Sequence, residues 1–414
     1  VATTMAGNRH LTLDTVRGVA VLGILLLNII AFAMPAPAYF NPAAYGGAEG
    51  IDLAAWFGNF VLFDGKMRGL FSFLFGASTL LVIERATAKG ESAARVHYAR
   101  MIWLLVFGLV HLWAIWWGDI LNHYALIGMI AFLFRTARVK TLLIVGCILL
   151  VIQFMVSAFI PMIAAIAQLT PGKPGMAEAI EGLKQGFGQP PTAWLTEDVA
   201  IHRGSWWAIA VDRFSEAQWM PLVGLMQYGW ETLAYMLFGM AAFRNGMLTG
   251  QWERRRYWRW VAIGFGIGIP AYVALALWMV RSDFSLTVVT AATMPLTTPF
   301  RPLMIMGWAA LIVLLMRPGG FLTDRLAAAG RMAFTNYLGT SLICTTLFYG
   351  YGLGWYGALS RAEVYLVVLG VWALILLWSK PWLENFAYGP LEWLWRSLAR
   401  GRPQGMAGGA LIRG

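Results

Sequence analysis

The stretch GLVHLWAIWWGDILNHYA, residues 108–125, gathers a histidine, an aspartate, an asparagine and a second histidine at the end of a tryptophan-rich apolar run. An imidazole titrates near neutral pH and is the usual general base for drawing a proton from a hydroxyl or an amine. His111 and Asp119 are eight residues apart, which on a helix leaves them roughly 80° from each other. That spacing allows a shared cavity without requiring contact. Asp119 could orient the imidazole or hold an acceptor, or it could simply cap a helix starting at Ile120. Asn122 and His123 read as interfacial; His10, His97 and His202 read as loop residues.

Other polar residues interrupt apolar segments, where an ionised group is costly and so tends to face the interior and to mark a pathway or a site. Asp14, Arg17 and Asn28 fall within roughly 60° of one another on a helix, with Arg17 and Asn28 about 16 Å apart along the axis. An ion pair at the helix start plus an interhelical hydrogen bond is the structural alternative. The hexapeptide DGKMRG, residues 64–69, breaks another apolar run with Lys66 and Arg68. The expected arrangement is a re-entrant or interfacial helix over 53–63, a cation-lined turn facing a cavity, and a crossing over 69–83; snorkelling of both cations is the alternative. Glu231 lies mid-segment and needs a cation, which Lys66 or Arg68 could supply. Tyr124, Asn336 and Tyr337 complete the candidate substrate contacts, while Glu392 and Arg396, at i, i+4 spacing, read as a packing pair.

The elements that carry these residues follow from composition. The chain has 414 residues, 59% of them hydrophobic and 12% charged, against about 25% charged in a soluble globule. An all-α, polytopic membrane bundle of about ten transmembrane helices is expected, because stretches of roughly 17–25 apolar residues span a bilayer as helices. The approximate spans are 15–34, 53–83 (interrupted near 64–69), 101–118, 120–134, 141–168, 222–243, 260–280, 300–316, 332–350 and 363–380. The N-terminal run resembles a signal peptide at AFAMPAPA but carries Asp14 and Arg17 at its start and reads as the first membrane helix.

Of the 31 Lys and Arg residues, 22 fall in one set of flanks and 7 in the other, which places both termini in the cytoplasm. The same bias explains the net charge of +11 without nucleic acid. The chain divides into helices 1–5 (1–168), an extracytoplasmic insertion (169–221), helices 6–10 (222–400) and a Gly-rich tail (401–414) expected to be disordered. Cys147 and Cys344 sit in apolar segments and behave as small hydrophobes.

No phosphate loop, zinc helix, nucleophile elbow or metal-spaced Cys/His set is present, so no metal is expected and any chemistry must use an activated donor or a gradient. In order, LTLDTVRGVAVLGILLLNI, FDGKMRGLFSFLFGAS, ARMIWLLVFGLVHLWAIWWGDILNHYAL, GRMAFTNYLGTS and YGPLEWLWRSL resemble the bacterial YeiB-like membrane proteins, designated domain of unknown function 418. Its opening pattern, LDxxRGxAxxGxxxxN, is also similar to the first helix of the transmembrane acyltransferase superfamily.

That resemblance implies transfer of an acyl group from cytosolic acyl-CoA to a lipid or glycan acceptor across the membrane, with Asn28 matching an active-site asparagine. The superfamily's histidine after this helix has no counterpart in IIAFAMPAPAYFNPAAYGG, which leaves His111 to supply the base, with Asp119 beside it. Arg17 and Arg100 would suit the donor's phosphates. Two other readings stay open: a transporter or lipid-handling protein whose path is lined by Asp119, Glu231, Lys66 and Arg68, and a sensor of a hydrophobic ligand such as a quinone. Membrane lipids and a small-molecule or lipid substrate are the expected partners, and a homodimer is compatible with each reading.

Overall fold

Asp14 and Arg17 are the sole charged residues between Leu11 and Ala33, and the chain there forms the central helix α1 (Ala2–Ala33). A computed structural model describes residues 2–407, with side chains from Leu11 onward. Residue 1 and the tail segment 408–414 lie outside the described residues.

After α1 come α2 (Gly50–Leu62), α3 (Lys66–Ala88), α4 (Ala93–Val110), α5 (Leu121–Ala131) and the long α6 (Val139–Leu169). The insertion folds as three short helices, α7 (Met176–Phe187), α8 (Thr192–His202) and α9 (Trp206–Ala217). The second half holds α10 (Met220–Arg244), α11 (Arg254–Arg281), α12 (Leu286–Thr293), α13 (Arg301–Leu315), α14 (Phe321–Arg331), α15 (Ala333–Phe348), α16 (Arg361–Asn385) and α17 (Pro390–Arg400). No β-strand of more than a single bridge forms among the described residues.

Among the described residues six helical segments, against the ten spans expected, are long and apolar enough to cross a membrane: 11–33, 50–88, 93–115, 139–169, 254–281 and 361–385. Their outward faces stay apolar, as with Val151, Phe159 and Leu366, because lipid rather than water covers them. α1 is enclosed by α3, α14, α15 and α16, and α10 by α3, α5 and α6. Their shared core includes Leu70, Phe73, Met236 and Met240, all buried.

The interruption expected over 64–69 is narrower in the structure. α2 ends at Leu62 and α3 begins at Lys66, leaving only Phe63–Gly65 as a turn. Gly65 has φ +68°, and a Cβ there would collide with the Arg301 side chain, so glycine alone fits. Lys66 and Arg68 therefore belong to the first turn of α3, not to a cation-lined loop.

The start of the tail is also more ordered than its composition implies. Residues 401–407 turn back on α17: the Gln404 N–H donates to Ser397 Oγ at 3.1 Å and Trp393 Nε1 donates to the Gln404 carbonyl at 2.7 Å. Ala407 pairs with Phe386. Indole N–H groups that need acceptors, and not glycine content, decide the path here.

Candidate active site

The end of α4 departs from regular α-helix. Residues His111–Ile115 wind as a π-turn, closed by the Trp116 N–H donating to the His111 carbonyl at 2.8 Å. Such turns add a residue to the helical repeat and commonly occur at functional positions. α5 then returns against α4 so closely that a Cβ on Gly108 would run into the Asn122 backbone. From outside, α9 pins the turn: Trp206 Nε1 donates to the Ala114 carbonyl at 2.9 Å and Arg213 to the Trp113 carbonyl at 3.3 Å.

This geometry turns two residues that share no helix face into a pair. His111 Nδ1 and Asp119 Oδ1 are 2.7 Å apart, with side chains 1% and 0% exposed. Asp119 Oδ2 accepts from the Asn122 N–H at 2.8 Å and from Asn122 Nδ2 at 2.7 Å, so the carboxylate caps α5 and orients the imidazole at once. An ionised carboxylate only accepts, so beside it Nδ1 is the donor, and a neutral imidazole then carries its lone pair on Nε2. His111 Nε2 is buried and has no hydrogen-bond partner among the described residues. The ring faces Tyr337, with centroids 5.4 Å apart, and the edge of Trp116 at 6.2 Å.

A cavity of about 540 Å³ leads toward this pair between α1, α3, α4, α5, α15 and α17. Along α4 its lining runs from Arg100 to Leu104, and along α1 from Asp14 to Ile24. Its inner end is formed by Ile120, Leu121, Tyr124 and Tyr337, the last being the ring in contact with His111. Its mouth carries Arg17, Arg85, Arg100, Arg331 and Arg396. Arg17 is fixed by Asp14 at 2.8 Å and Ser78 at 2.7 Å, and Arg100 lies 4.1 Å from the Trp395 ring centroid. A basic entrance over an apolar channel suits an anion carrying an apolar or weakly polar tail.

Asn28 is half-buried and sits one helical turn from both Ile24, which lines the cavity, and Phe32, which stacks on Trp116 at 3.9 Å. It thus occupies the α1 face between the cavity and the tryptophan beside His111. Tyr124 lines the cavity and bonds Ser72 at 2.9 Å and the Arg68 carbonyl at 3.1 Å.

The other expected site residues gather elsewhere. Glu231, 2% exposed, accepts from Arg68 at 2.7 Å and from Arg301 through its second oxygen. Lys66, which was a candidate partner, instead donates to the Phe60 carbonyl at 2.6 Å and lies over the Tyr272 ring. None of Lys66, Arg68, Glu231 and Arg301 lines the large cavity. Arg301 is the residue that charge counting misplaces: it falls among the sparse flank cations yet is buried at the start of α13. Asn336 is held by Ala329, Ser379 and Trp378, also away from the cavity lining.

All four of the other histidines differ from their expected settings: His10 lies within α1 and His202 is the last residue of α8. His97 is buried inside α4, bonds the Gly128 carbonyl at 2.9 Å and lines the cavity. His123 is buried against Thr232 at 2.9 Å. Each lies beside apolar residues that pack helix on helix, a signal that single-residue polarity hides. Among the described residues no group of three or more His, Cys, Asp or Glu side chains is arranged to hold a metal ion.

Residues 242–402 match the family model described as "Protein of unknown function (DUF418)". The chain is 34% identical over 410 residues to "Uncharacterized protein YeiB" of Escherichia coli (strain K12), covering 94% of this chain and 96% of that protein. It is 32% identical over 414 residues to "Uncharacterized protein YxaH" of Bacillus subtilis (strain 168), with 95% of each chain covered. No solved structure gives a significant match.

Proposed function

This chain belongs to the YeiB-like DUF418 family of membrane proteins, and from that premise we propose that it is an acyltransferase acting on an acyl-CoA donor and a lipid or glycan acceptor. The observation that carries the proposal is His111: Nδ1 held by Asp119 at 2.7 Å, Nε2 buried and without a hydrogen-bond partner among the described residues, its ring behind Tyr337, which lines a cavity whose mouth is arginine-rich; His111, Asp119 and Asn28 do not themselves line it.

In this reading His111 Nε2 takes the proton from the acceptor hydroxyl or amine as its oxygen or nitrogen attacks the thioester carbonyl. The carbon–sulfur bond breaks, and the imidazolium returns the proton to the departing thiolate. Asp119 keeps the imidazole in the tautomer that can accept and stabilises the imidazolium. Asn28 donates to the carbonyl oxygen as negative charge develops there. The arginines at the mouth hold the donor's phosphates.

The membrane orientation fits the same scheme. With ten crossings and both termini in the cytoplasm of a bacterial inner membrane, Arg17, Arg85, Arg100, Arg331 and Arg396 all belong to the cytosolic set, where CoA thioesters are found. The test is direct: purified protein in nanodiscs is given an acyl-CoA, and thiol release and thermal stabilisation are followed. A chain that neither binds nor is stabilised by a CoA thioester ends this reading.

The Arg68–Glu231–Arg301 network favours a second reading, transport, because charges inside a bundle often mark a path. That reading requires substrate flux in proteoliposomes that Glu231→Gln abolishes. It stands second because both Glu231 oxygens are closed in ion pairs within the bundle, whereas His111 Nε2 is left without a hydrogen-bond partner among the described residues.

A further inference from the structure

Helix α9 presents three faces. Ile209, Arg213 and Ala217, at i, i+4 and i+8, are buried against the rest of the chain. Trp207, Val211 and Phe214 form an exposed apolar stripe, and Asp212, Ser215 and Glu216 occupy the remaining, polar side. A helix with an apolar outer face beside a polar one fits the boundary between lipid and water, its apolar face sunk among the headgroups. The stripe continues through Trp219, Leu222 and Met226, all exposed, into α10, which packs on the membrane-spanning α6. Trp206, Trp207 and Trp219 match the tryptophan belt found at that depth.

At this boundary Arg213 is 5% exposed, yet among the described residues it makes no ion pair. Asp198 is already engaged by the Tyr356 hydroxyl at 2.8 Å and by His202 at 3.5 Å, and neither Asp212 nor Glu216 pairs with Arg213. Tyr349 and Tyr351 lie beside the guanidinium and are neutral near pH 7. Nη1 donates to the Trp113 carbonyl at 3.3 Å. Even with a bond to the Tyr349 hydroxyl counted, most of the guanidinium N–H groups have no protein acceptor. Trp113 Nε1, in the same turn, is buried and also without a partner among the described residues, and its ring packs against Phe214 with centroids 5.6 Å apart.

A buried cation without an ion pair is costly, and a phosphate supplies both the charge and the geometry that a guanidinium fork matches. The apolar stripe beside it suits acyl chains, so head and tail requirements meet on one helix. The arginine-rich mouth is a different place, since Arg100 lies about 20 Å from Trp113 along α4. We propose that Arg213 binds the phosphate of an anionic phospholipid in the leaflet on the α9 side, with the lipid's chains along Trp207, Val211 and Phe214. The site does not depend on acyl transfer. Because Arg213 and Trp206 hold the Trp113 and Ala114 carbonyls, a lipid seated here also steadies the turn that carries His111.

The experiment is native mass spectrometry of the full-length protein, delipidated in a neutral detergent and titrated with phosphatidylglycerol or with phosphatidylcholine of the same chain composition. Wild type is expected to hold the first phosphatidylglycerol about ten-fold more tightly than phosphatidylcholine, the scale of one hydrogen bond to a charged group. Arg213→Gln is expected to lose that preference while its phosphatidylcholine binding holds. Where Arg213→Gln does not fold, Arg213→Lys, charged but without the fork, is read in its place and is expected to bind phosphatidylglycerol several-fold more weakly than wild type. A wild type that holds the two lipids equally, or a folded variant that keeps the full preference, overturns the proposal. Inorganic phosphate and glycerol 3-phosphate separate the sources of the anion: neither is expected to displace the lipid, and displacement at concentrations comparable to the lipid's identifies a soluble-phosphate site and overturns the proposal. Each of these outcomes leaves acyl transfer to its own test with a CoA thioester.

Discussion

His111 Nδ1 and Asp119 Oδ1 meet at 2.7 Å although an uninterrupted helix would hold the two side chains about 80° and roughly two turns apart, near 12 Å along the axis. The π-turn at His111–Ile115 and the reversal into α5 fold Asp119 back over the imidazole. One carboxylate then does two things, capping α5 through Asn122 and fixing the imidazole tautomer. The lone pair left on Nε2 is the consequence on which the chemistry depends.

Replacing either partner should separate catalysis from folding. His111→Ala removes the base, and acyl transfer is expected to fall by roughly 10²–10⁴-fold with donor affinity little changed. Asp119→Asn keeps size and an oxygen for the Asn122 cap but lets an amide N–H face the imidazole, favouring the wrong tautomer, so it should lose rate on a similar scale. Steady-state kinetics with donor binding measured separately decide the matter. Turnover within about two-fold of wild type in His111→Ala would remove the histidine from the mechanism.

The α4–α5 approach is the geometric support for that pair. Gly108→Val places a branched side chain against the Asn122 backbone, and overpacking of this kind costs about 1–3 kcal/mol. Thermal unfolding in detergent should show the loss, and the rate should fall further than stability explains because Asp119 moves with Asn122. A variant as stable and active as wild type would mean that the close approach is not required.

Much of this was legible in the residues. Apolar run lengths located the helices, and the cost of burying polarity singled out His111, Asp119, Asn28 and Glu231 before any geometry was known. What periodicity could not supply was the π-turn, because one extra residue per turn changes which side chains face each other without changing composition. Arg301 was hidden for a related reason: at the first residue of α13 it counts as a flank cation, and only the packing of α13 on α3 brings it to Glu231. The order of residues 401–407 depends on single indole and amide bonds that Gly content masks.

Glu231 is bound by two arginines in a setting with little water. Removing its charge leaves the buried Arg301 and the half-buried Arg68 without their counter-ion, and a buried charge so uncovered typically costs about 3–5 kcal/mol. Glu231→Gln is therefore expected to lower the unfolding midpoint strongly, while the double change Glu231→Met with Arg301→Met recovers much of the loss. Chemical denaturation in a fixed detergent gives the comparison. A Glu231→Gln protein as stable as wild type would contradict a structural role for the network and strengthen the transport reading.

Glu392 offers a pH handle on the mouth of the cavity. It lies on α17, accepts from the Phe334 and Thr335 N–H groups at 2.7 and 3.1 Å, and shares its surroundings with Arg396, Tyr388 and the Thr335 hydroxyl. Burial raises its carboxyl above the ordinary range despite those hydrogen bonds. A raised folded-state value means the folded protein binds the proton more tightly than the unfolded chain. The associated stability is complete below the unfolded value, near 4.3, and is lost as pH rises through the raised folded value. Hydrogen exchange of the α17 amides, corrected for intrinsic pH dependence, should therefore show protection that declines from acid toward neutral pH. Glu392→Gln should flatten that slope while still accepting from Phe334. His97 lines the same cavity, so the quantity to read is the difference between wild type and variant at each pH. A slope unchanged by Glu392→Gln would show that another group controls how α17 docks.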